Sequence, residues 1–164
     1  MVSLIRDMPP PGGSPQPRQD AMVVIHRVPG DGGEAGWISG DHYCLGYYRK
    51  ALKEVLCGTY RLSAGSSVHA LYPLSTVDNF SPRPRGTKPP FWVAVAVVGH
   101  PGPFRLVGDP HHRIDLHQAR AALEFDRPVT FLAWSIAADM GREQPLICDA
   151  HEIHCLDIDG TLTP

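Results

Sequence analysis

The sequence lacks a long apolar run. Its longest, residues 91–98, reads FWVAVAVV, whereas a helix needs roughly 20 apolar residues to cross a bilayer. The N-terminal residues contain no hydrophobic segment of the kind that secretory signal peptides carry. We therefore expect a soluble protein with a cytoplasmic location and no contact with a membrane.

Neither sign of charge predominates in the sequence. Fifteen Lys and Arg residues stand against 17 Asp and Glu residues, for a net charge of −2. Nucleic-acid binding is therefore not favoured, because the phosphate backbone selects basic surfaces. The glycine-rich stretch 29–36 contains neither Gly-x-Gly-x-x-Gly nor Gly-Lys-Ser/Thr, so the common phosphate-binding loops are excluded.

Cysteine is scarce, with four residues in 164. In a cytoplasmic chain we expect these to be reduced thiols rather than a disulfide framework. The composition, 43% hydrophobic and 20% charged, is that of one globular domain with its own core. This domain is expected at 21–164, after a proline-rich N-terminal arm at 1–20 that has few apolar residues.

Six segments have the composition of strands, and hairpins join some of them. Residues 91–99 and 128–136 are apolar without alternation, which is typical of strands buried on both faces. The other candidate strands are 21–27, 67–74, 105–108 and 145–159. Between them, 75–90 forms a long loop that is rich in proline and carries three basic residues. Such loops are often functional.

Two segments carry helical patterns. Over 42–57, apolar residues recur at helical spacing, with Asp41 as N-cap and Gly58 as the stop. Over 115–125, Asp115 and Gln118 resemble a capping box. These helices beside hairpins predict an α+β fold with a mostly antiparallel sheet of about six strands.

The sequence ends in LDIDGTLTP. Asp-x-Asp-Gly-Thr after an apolar residue resembles the first motif of the haloacid dehalogenase superfamily. The resemblance implies Asp157 as nucleophile and Asp159 as general acid and base beside Mg²⁺. That family's other motifs lie downstream, whereas five residues follow Asp159 here. We therefore expect an amphipathic final strand, on which Asp157, Asp159 and the nearby His151 share a face suited to a cation.

Two histidine-rich clusters are candidate metal sites. CDAHEIHC, residues 148–155, offers four potential zinc ligands, although a regular strand would divide them between its two faces. GDPHHRIDLH, residues 108–117, places histidines and acids before the second predicted helix. The residues predicted to bind zinc or another divalent cation are His111, His112, His151, His154, Cys155 and Asp157.

Cys44 is a candidate nucleophile. It falls in the first turn of the predicted helix, where the helix dipole favours the thiolate, an arrangement similar to that of papain-type thiol hydrolases. His69, His100, His151 or His154, all later in the chain, could serve as its base, and His100 is the one we predict. The structural alternative is that Cys44 is a buried small hydrophobic residue on the apolar stripe, and we expect its sulfur to be buried.

With no complete catalytic motif, the sequence favours a binding or accessory module. Its arm at 1–20 and its 75–90 loop are the expected contact surfaces for a protein partner or a second copy of the chain. The alternative is a small hydrolase that uses Cys44 with His100, or a histidine-rich metal site.

Overall fold

The fold is all-β in the part of the chain that is described. The computed structural model describes residues 22–28, 32–39, 42–49, 52–59, 68–71, 73–77, 85–86, 91–111, 114–120, 128–136 and 144–163. Within these ranges the chain forms strands and no helix, so the predicted α+β class is wrong. No helix among these residues is long and apolar enough to cross a membrane. The 1–20 arm and most of the 75–90 loop lie outside the described residues.

Twelve strands in these ranges form three antiparallel sheets, in place of the single, mostly antiparallel sheet of about six strands that was predicted. Sheet A has the order β1 (Met22–Val28), β2 (Gly32–Ser39), β3 (His42–Arg49) and β4 (Leu52–Thr59). In sheet B, β5 (His69–Ala70) and β6 (Leu74–Val77) pair with β7 (Phe91–Val98), followed by β10 (Val129–Ile136) and β9 (Ile114–Arg120). Sheet C has the order β12 (Cys155–Leu156), β11 (Leu146–Asp149) and β8 (Phe104–Val107).

Sheet B is the middle layer. On one face, Ala94 of β7 and Phe131 of β10 share a core with Leu45 of sheet A. On the opposite face, Val95 and Trp134 belong to a core that includes residues of sheet C. Burying a large apolar side chain contributes about 1.5–3 kcal/mol, and β7 and β10 bury such side chains on both faces. The prediction that these strands are buried on both faces is confirmed.

The first predicted helix, 42–57, is instead the β3–β4 hairpin. Cys44 lies opposite Cys57, and Gly46 lies opposite Val55. Gly58, predicted as the helix stop, instead lies within β4, where it pairs with Tyr43 of β3. A Cβ atom at Gly58 would lie 2.7 Å from Cε1 of Tyr43. The glycine therefore leaves space for a buried ring on the neighbouring strand. Its role is in the packing of the sheet, and it does not end a helix.

The second predicted helix, 115–125, begins as β9, and residues 121–127 lie outside the described part. Gln118 does not cap a helix. Its Oε1 accepts the N–H of Phe104 at 2.8 Å, and its Nε2 donates to the carbonyl of Phe104 at 2.8 Å. This side chain therefore holds the first residue of β8 in the way that a neighbouring strand would.

All four cysteines are paired, and the expectation of reduced thiols is wrong. Cys44 is bonded to Cys57 and Cys148 to Cys155. Each bond joins residues directly opposite each other on antiparallel strands. Cross-strand partners of this kind bring their Cβ atoms within reach of a disulfide. The Cys44–Cys57 disulfide could not be predicted together with a helix over 42–57, because the two cysteines would have lain at opposite ends of that helix.

Candidate functional site

The site lies where the loop after β7 meets the loop that joins β11 to β12. His100 comes two residues after β7, Asp149 is the last residue of β11, and His154 directly precedes β12. One ligand atom from each of these three side chains lies within 4.8 Å of the other two. Two stretches that are distant in sequence therefore converge on one point.

Asp149 organises the β11–β12 loop through its carboxylate. The Oδ1 atom accepts the main-chain N–H groups of His151 and Ile153, each at 3.0 Å. The Oδ2 atom accepts the main-chain N–H of His154 at 3.2 Å. Loop N–H groups need acceptors, and an aspartate at the start of a loop supplies them. Glu152, at the loop's tip, adopts a left-handed φ of 57°, and its N–H donates to the carbonyl of Asp149.

The same carboxylate faces both imidazole rings. Asp149 Oδ2 lies 2.8 Å from Nδ1 of His154 and 3.4 Å from Nε2 of His100. The residue is only 2% exposed. Burial alone would raise the pKa of Asp149, but the hydrogen bonds from His154 and from the loop N–H groups outweigh burial and lower that pKa to about 2. The carboxylate is therefore ionised at neutral pH and acts only as an acceptor, so His154 Nδ1 carries the proton between them.

His100 is held from the other side. Its Nδ1 accepts the N–H of Gly102 at 3.0 Å, and its carbonyl accepts the hydroxyl of Thr130 at 2.8 Å. Its ring packs at a tilt on Phe104, with 5.0 Å between ring centroids. Phe104 is the residue whose main chain Gln118 holds. Sheet B therefore fixes His100 through β9 and β10, while the hairpin of sheet C supplies the other two side chains.

The two rings leave the site open to solvent. Their centroids are 5.6 Å apart, and the side chains of His100 and His154 are 20% and 32% exposed. Two imidazoles and one carboxylate form a donor set that suits zinc and neighbouring divalent transition metals. Three protein ligands leave at least one coordination position for water or another ligand.

The structure places one of the six predicted metal ligands in this site. His154 belongs to the site. His151 is exposed and contributes its main-chain N–H to Asp149. Cys155 is bonded to Cys148, so its sulfur offers no thiolate to a metal. His111 is exposed in the turn before β9, and His112 lies outside the described residues.

The predicted catalytic pair is also separated. Cys44 is buried, as expected, but it lies on β3 and is bonded to Cys57. The argument for a thiolate depended on a helix N-terminus, and this segment is a strand. His100 faces Asp149 instead.

The final DIDGT segment forms a turn, so the predicted amphipathic last strand is wrong. Oδ1 of Asp157 accepts the N–H groups of Asp159 and Thr161 at 3.0 and 2.9 Å. Gly160 has a φ of 88°, and a Cβ atom there would lie 2.7 Å from Cβ of Pro73. The glycine and the capping aspartate thus serve a tight reversal, after which Leu162 bridges back to Leu156.

Asp149 is not among the residues predicted to bind a metal. It stands next to Cys148 and five residues before His154, inside the 148–155 cluster of candidate zinc ligands. The sequence does contain a signal for Asp149, because an aspartate at the start of a short loop between two cysteines is placed to accept loop N–H groups.

We find no family model that matches the chain, and no curated protein or solved structure matches it.

Proposed function

We propose that this protein is a metal-binding domain, which holds one divalent transition-metal ion with His100, Asp149 and His154. One observation carries the proposal: three ligand side chains from two separate loops converge within 4.8 Å around a carboxylate that is buried and ionised. Buried charges in proteins are paired or bind metal ions. Here the partners of Asp149 are the two rings that would share the ion.

The hydrogen bonds around the ligands support binding. Metal-binding carboxylates are usually held by further hydrogen bonds, and Asp149 accepts three main-chain N–H groups. The donor set of two nitrogens and one oxygen favours zinc, cobalt or iron(II) over calcium or magnesium, which prefer oxygen ligands.

Binding has an identifiable cost at His100. Its Nδ1 accepts the N–H of Gly102, so in the metal-free state the ring proton lies on Nε2 and points at Asp149. Coordination through Nε2 would move this proton to Nδ1 and break the contact with Gly102. Coordination through Nδ1 of His154 would likewise break its hydrogen bond to Asp149. Each such loss costs about 1–3 kcal/mol, which is less than the roughly 10–16 kcal/mol that structural zinc sites provide.

A cobalt titration tests the proposal. Purified protein is stripped of metal and titrated with Co²⁺, and the visible d–d bands report binding; Zn²⁺ competition then gives the affinity for zinc. We expect one ion per chain. His154→Ala should weaken binding by about 100-fold or more, because it removes a direct ligand.

His151→Ala is the matched control, because this exposed histidine lies in the same loop and contributes only its main chain to the site. It should bind cobalt within about twofold of the unmodified protein, as expected for a surface substitution. Failure of the unmodified protein to bind, or equal weakening by the two substitutions, would contradict the proposal.

A further inference from the structure

The Cys148–Cys155 disulfide brackets the part of the site that the β11–β12 loop supplies. Asp149 directly follows Cys148, and His154 directly precedes Cys155. Cys148 and Cys155 are opposite each other in the ladder, and one step beyond them the N–H of Asp149 donates to the carbonyl of His154 at 3.0 Å. The disulfide therefore fixes the separation of the two strand ends that carry two of the three ligands.

Little else in the backbone holds these ends together. Strand β12 has two residues, and its ladder with β11 contains two residue pairs, one of which is the cysteine pair. Inside the loop, main-chain hydrogen bonds join Asp149 to His154 and Glu152 to Asp149. Further N–H groups donate to the carboxylate of Asp149, a ligand that must also serve the metal. His100, by contrast, is anchored independently through Thr130 and Phe104. The site thus has one anchored side and one side that depends on the disulfide.

We infer that the Cys148–Cys155 bond is a redox control of the metal site, such that the oxidised loop binds the ion and the reduced loop releases it. The inference rests on the proposed metal function. Reduction adds two electrons and two protons to the disulfide and yields two thiols, while a dithiol reductant is oxidised to its own disulfide. The opened loop samples more conformations, so ordering Asp149 and His154 around the ion costs more free energy.

The size of the effect follows from what positioning groups usually contribute. Groups that orient metal ligands without touching the metal change its affinity by about 10- to 100-fold when removed. We expect a loss in this range after reduction. Loss of the Cys44–Cys57 bond should leave the affinity within about twofold, because that bond joins β3 to β4 in sheet A and the site is built from β7, β11, β12 and their loops.

The test compares two double variants by the cobalt titration. Cys148→Ser with Cys155→Ser should bind Co²⁺ about 10- to 100-fold more weakly than the unmodified oxidised protein. Cys44→Ser with Cys57→Ser is the matched control and should bind normally. Binding by the unmodified protein together with normal binding by the Cys148/Cys155 variant would overturn the redox control alone. Absence of binding by the unmodified protein would overturn the metal function and this inference together.

A reversible experiment covers the case in which the first variant does not fold. The Cys44→Ser, Cys57→Ser protein retains only the Cys148–Cys155 disulfide, which a phosphine reduces to two thiols while water supplies the oxygen of the phosphine oxide. Cobalt affinity should fall on reduction and return on reoxidation. An unchanged affinity would contradict the inference. So would an intense thiolate-to-cobalt absorption band with undiminished affinity, because the reduced loop would then have gained a site instead of losing one.

Discussion

The two disulfide-linked hairpins differ in what holds them together. In β3–β4, two strands of eight residues pair along most of their length, and the cysteine pair is one rung among seven. In β11–β12, the ladder has two rungs, and the cysteine pair is the one next to the loop. The bond between the strands is of the same kind, but the backbone around it is extensive in one hairpin and minimal in the other.

This difference separates two roles that a disulfide can have. In the long hairpin, backbone pairing and the buried Tyr43 and Leu45 already specify the geometry, so the bond adds stability to an arrangement that does not depend on it. In the short hairpin, the bond and the carboxylate of Asp149 replace the missing ladder. The short hairpin is also the one that presents candidate ligands.

Removing either disulfide should cost similar stability. The cysteines are separated by 13 residues in β3–β4 and by seven in β11–β12. The chain-entropy relation gives roughly 3 kcal/mol for the first loop and roughly 2.5 kcal/mol for the second, since the cost grows only with the logarithm of loop length. Urea unfolding of the two double-serine variants measures both values. Equal losses of stability combined with unequal losses of metal affinity would establish the distinction. A negligible loss for the Cys148/Cys155 variant would show that the short loop is held by its hydrogen bonds.

Packing in the long hairpin should be sensitive at Gly58. Gly58→Ala places a methyl group where the ring of Tyr43 lies, 2.7 Å from Cε1, and Tyr43 is fully buried. Overpacking of this kind costs about 1–3 kcal/mol. Thr59→Ala, at the next and exposed position, is the control and should change the free energy of unfolding by less than about 0.5 kcal/mol. Equal effects of the two substitutions in a denaturation experiment would mean that the ring moves aside freely.

The β3–β4 hairpin also shows why the predicted fold class was wrong. Apolar residues at 44, 47, 48, 51, 52, 55 and 56 fit a helical stripe, but strands β3 and β4 place six of these seven positions in cross-strand pairs. The sequence decides between these only through partners elsewhere, such as the apolar face of β7. Strands β7 and β10 were predictable because their mostly apolar sequences do not alternate with polar residues, which is typical of strands buried on both faces.

Only part of the site, His154, could be predicted as a metal ligand from the sequence. His154 was found because histidines cluster with cysteines in its loop, and residue type alone suggested a metal. Its partnership with His100 depends on sheets B and C being layered, which no local pattern encodes. Cys155 was predicted as a metal ligand because the strand register was unknown. Once Cys148 and Cys155 are placed opposite each other, the ligands left in that loop are Asp149 and the histidines.

Acid should weaken the short hairpin selectively. The folded-state pKa of Asp149 is lowered from 3.8 to about 2, so its carboxylate contributes stability that is fully present above about pH 4 and is lost as the pH falls toward 2. This contribution is roughly 1 to 2 kcal/mol after allowance for solvent screening. In metal-free protein, the difference in free energy of unfolding between the unmodified chain and Asp149→Asn should therefore shrink between pH 5 and pH 2. A difference that stays constant over this range would mean that the charge of Asp149 does not stabilise the loop.

The smallest effect should come from the ion pair between β8 and the tip of the loop. Arg105 Nη2 lies 2.7 Å from Oε1 of Glu152, but both side chains are more than half exposed. Exposed pairs contribute about 0.2–1 kcal/mol and are screened by salt. Arg105→Ala should therefore cost at most about 1 kcal/mol at low ionic strength, and nothing measurable in concentrated salt. Arg105 pairs across the ladder with Cys148, so this bridge is the alternative brace for the same loop. If Arg105→Ala weakened cobalt binding as much as loss of the Cys148–Cys155 bond does, charge would be holding the loop and the disulfide would have no special part in it. If its effect stays within twofold, this ion pair is not what sets the spacing of Asp149 and His154.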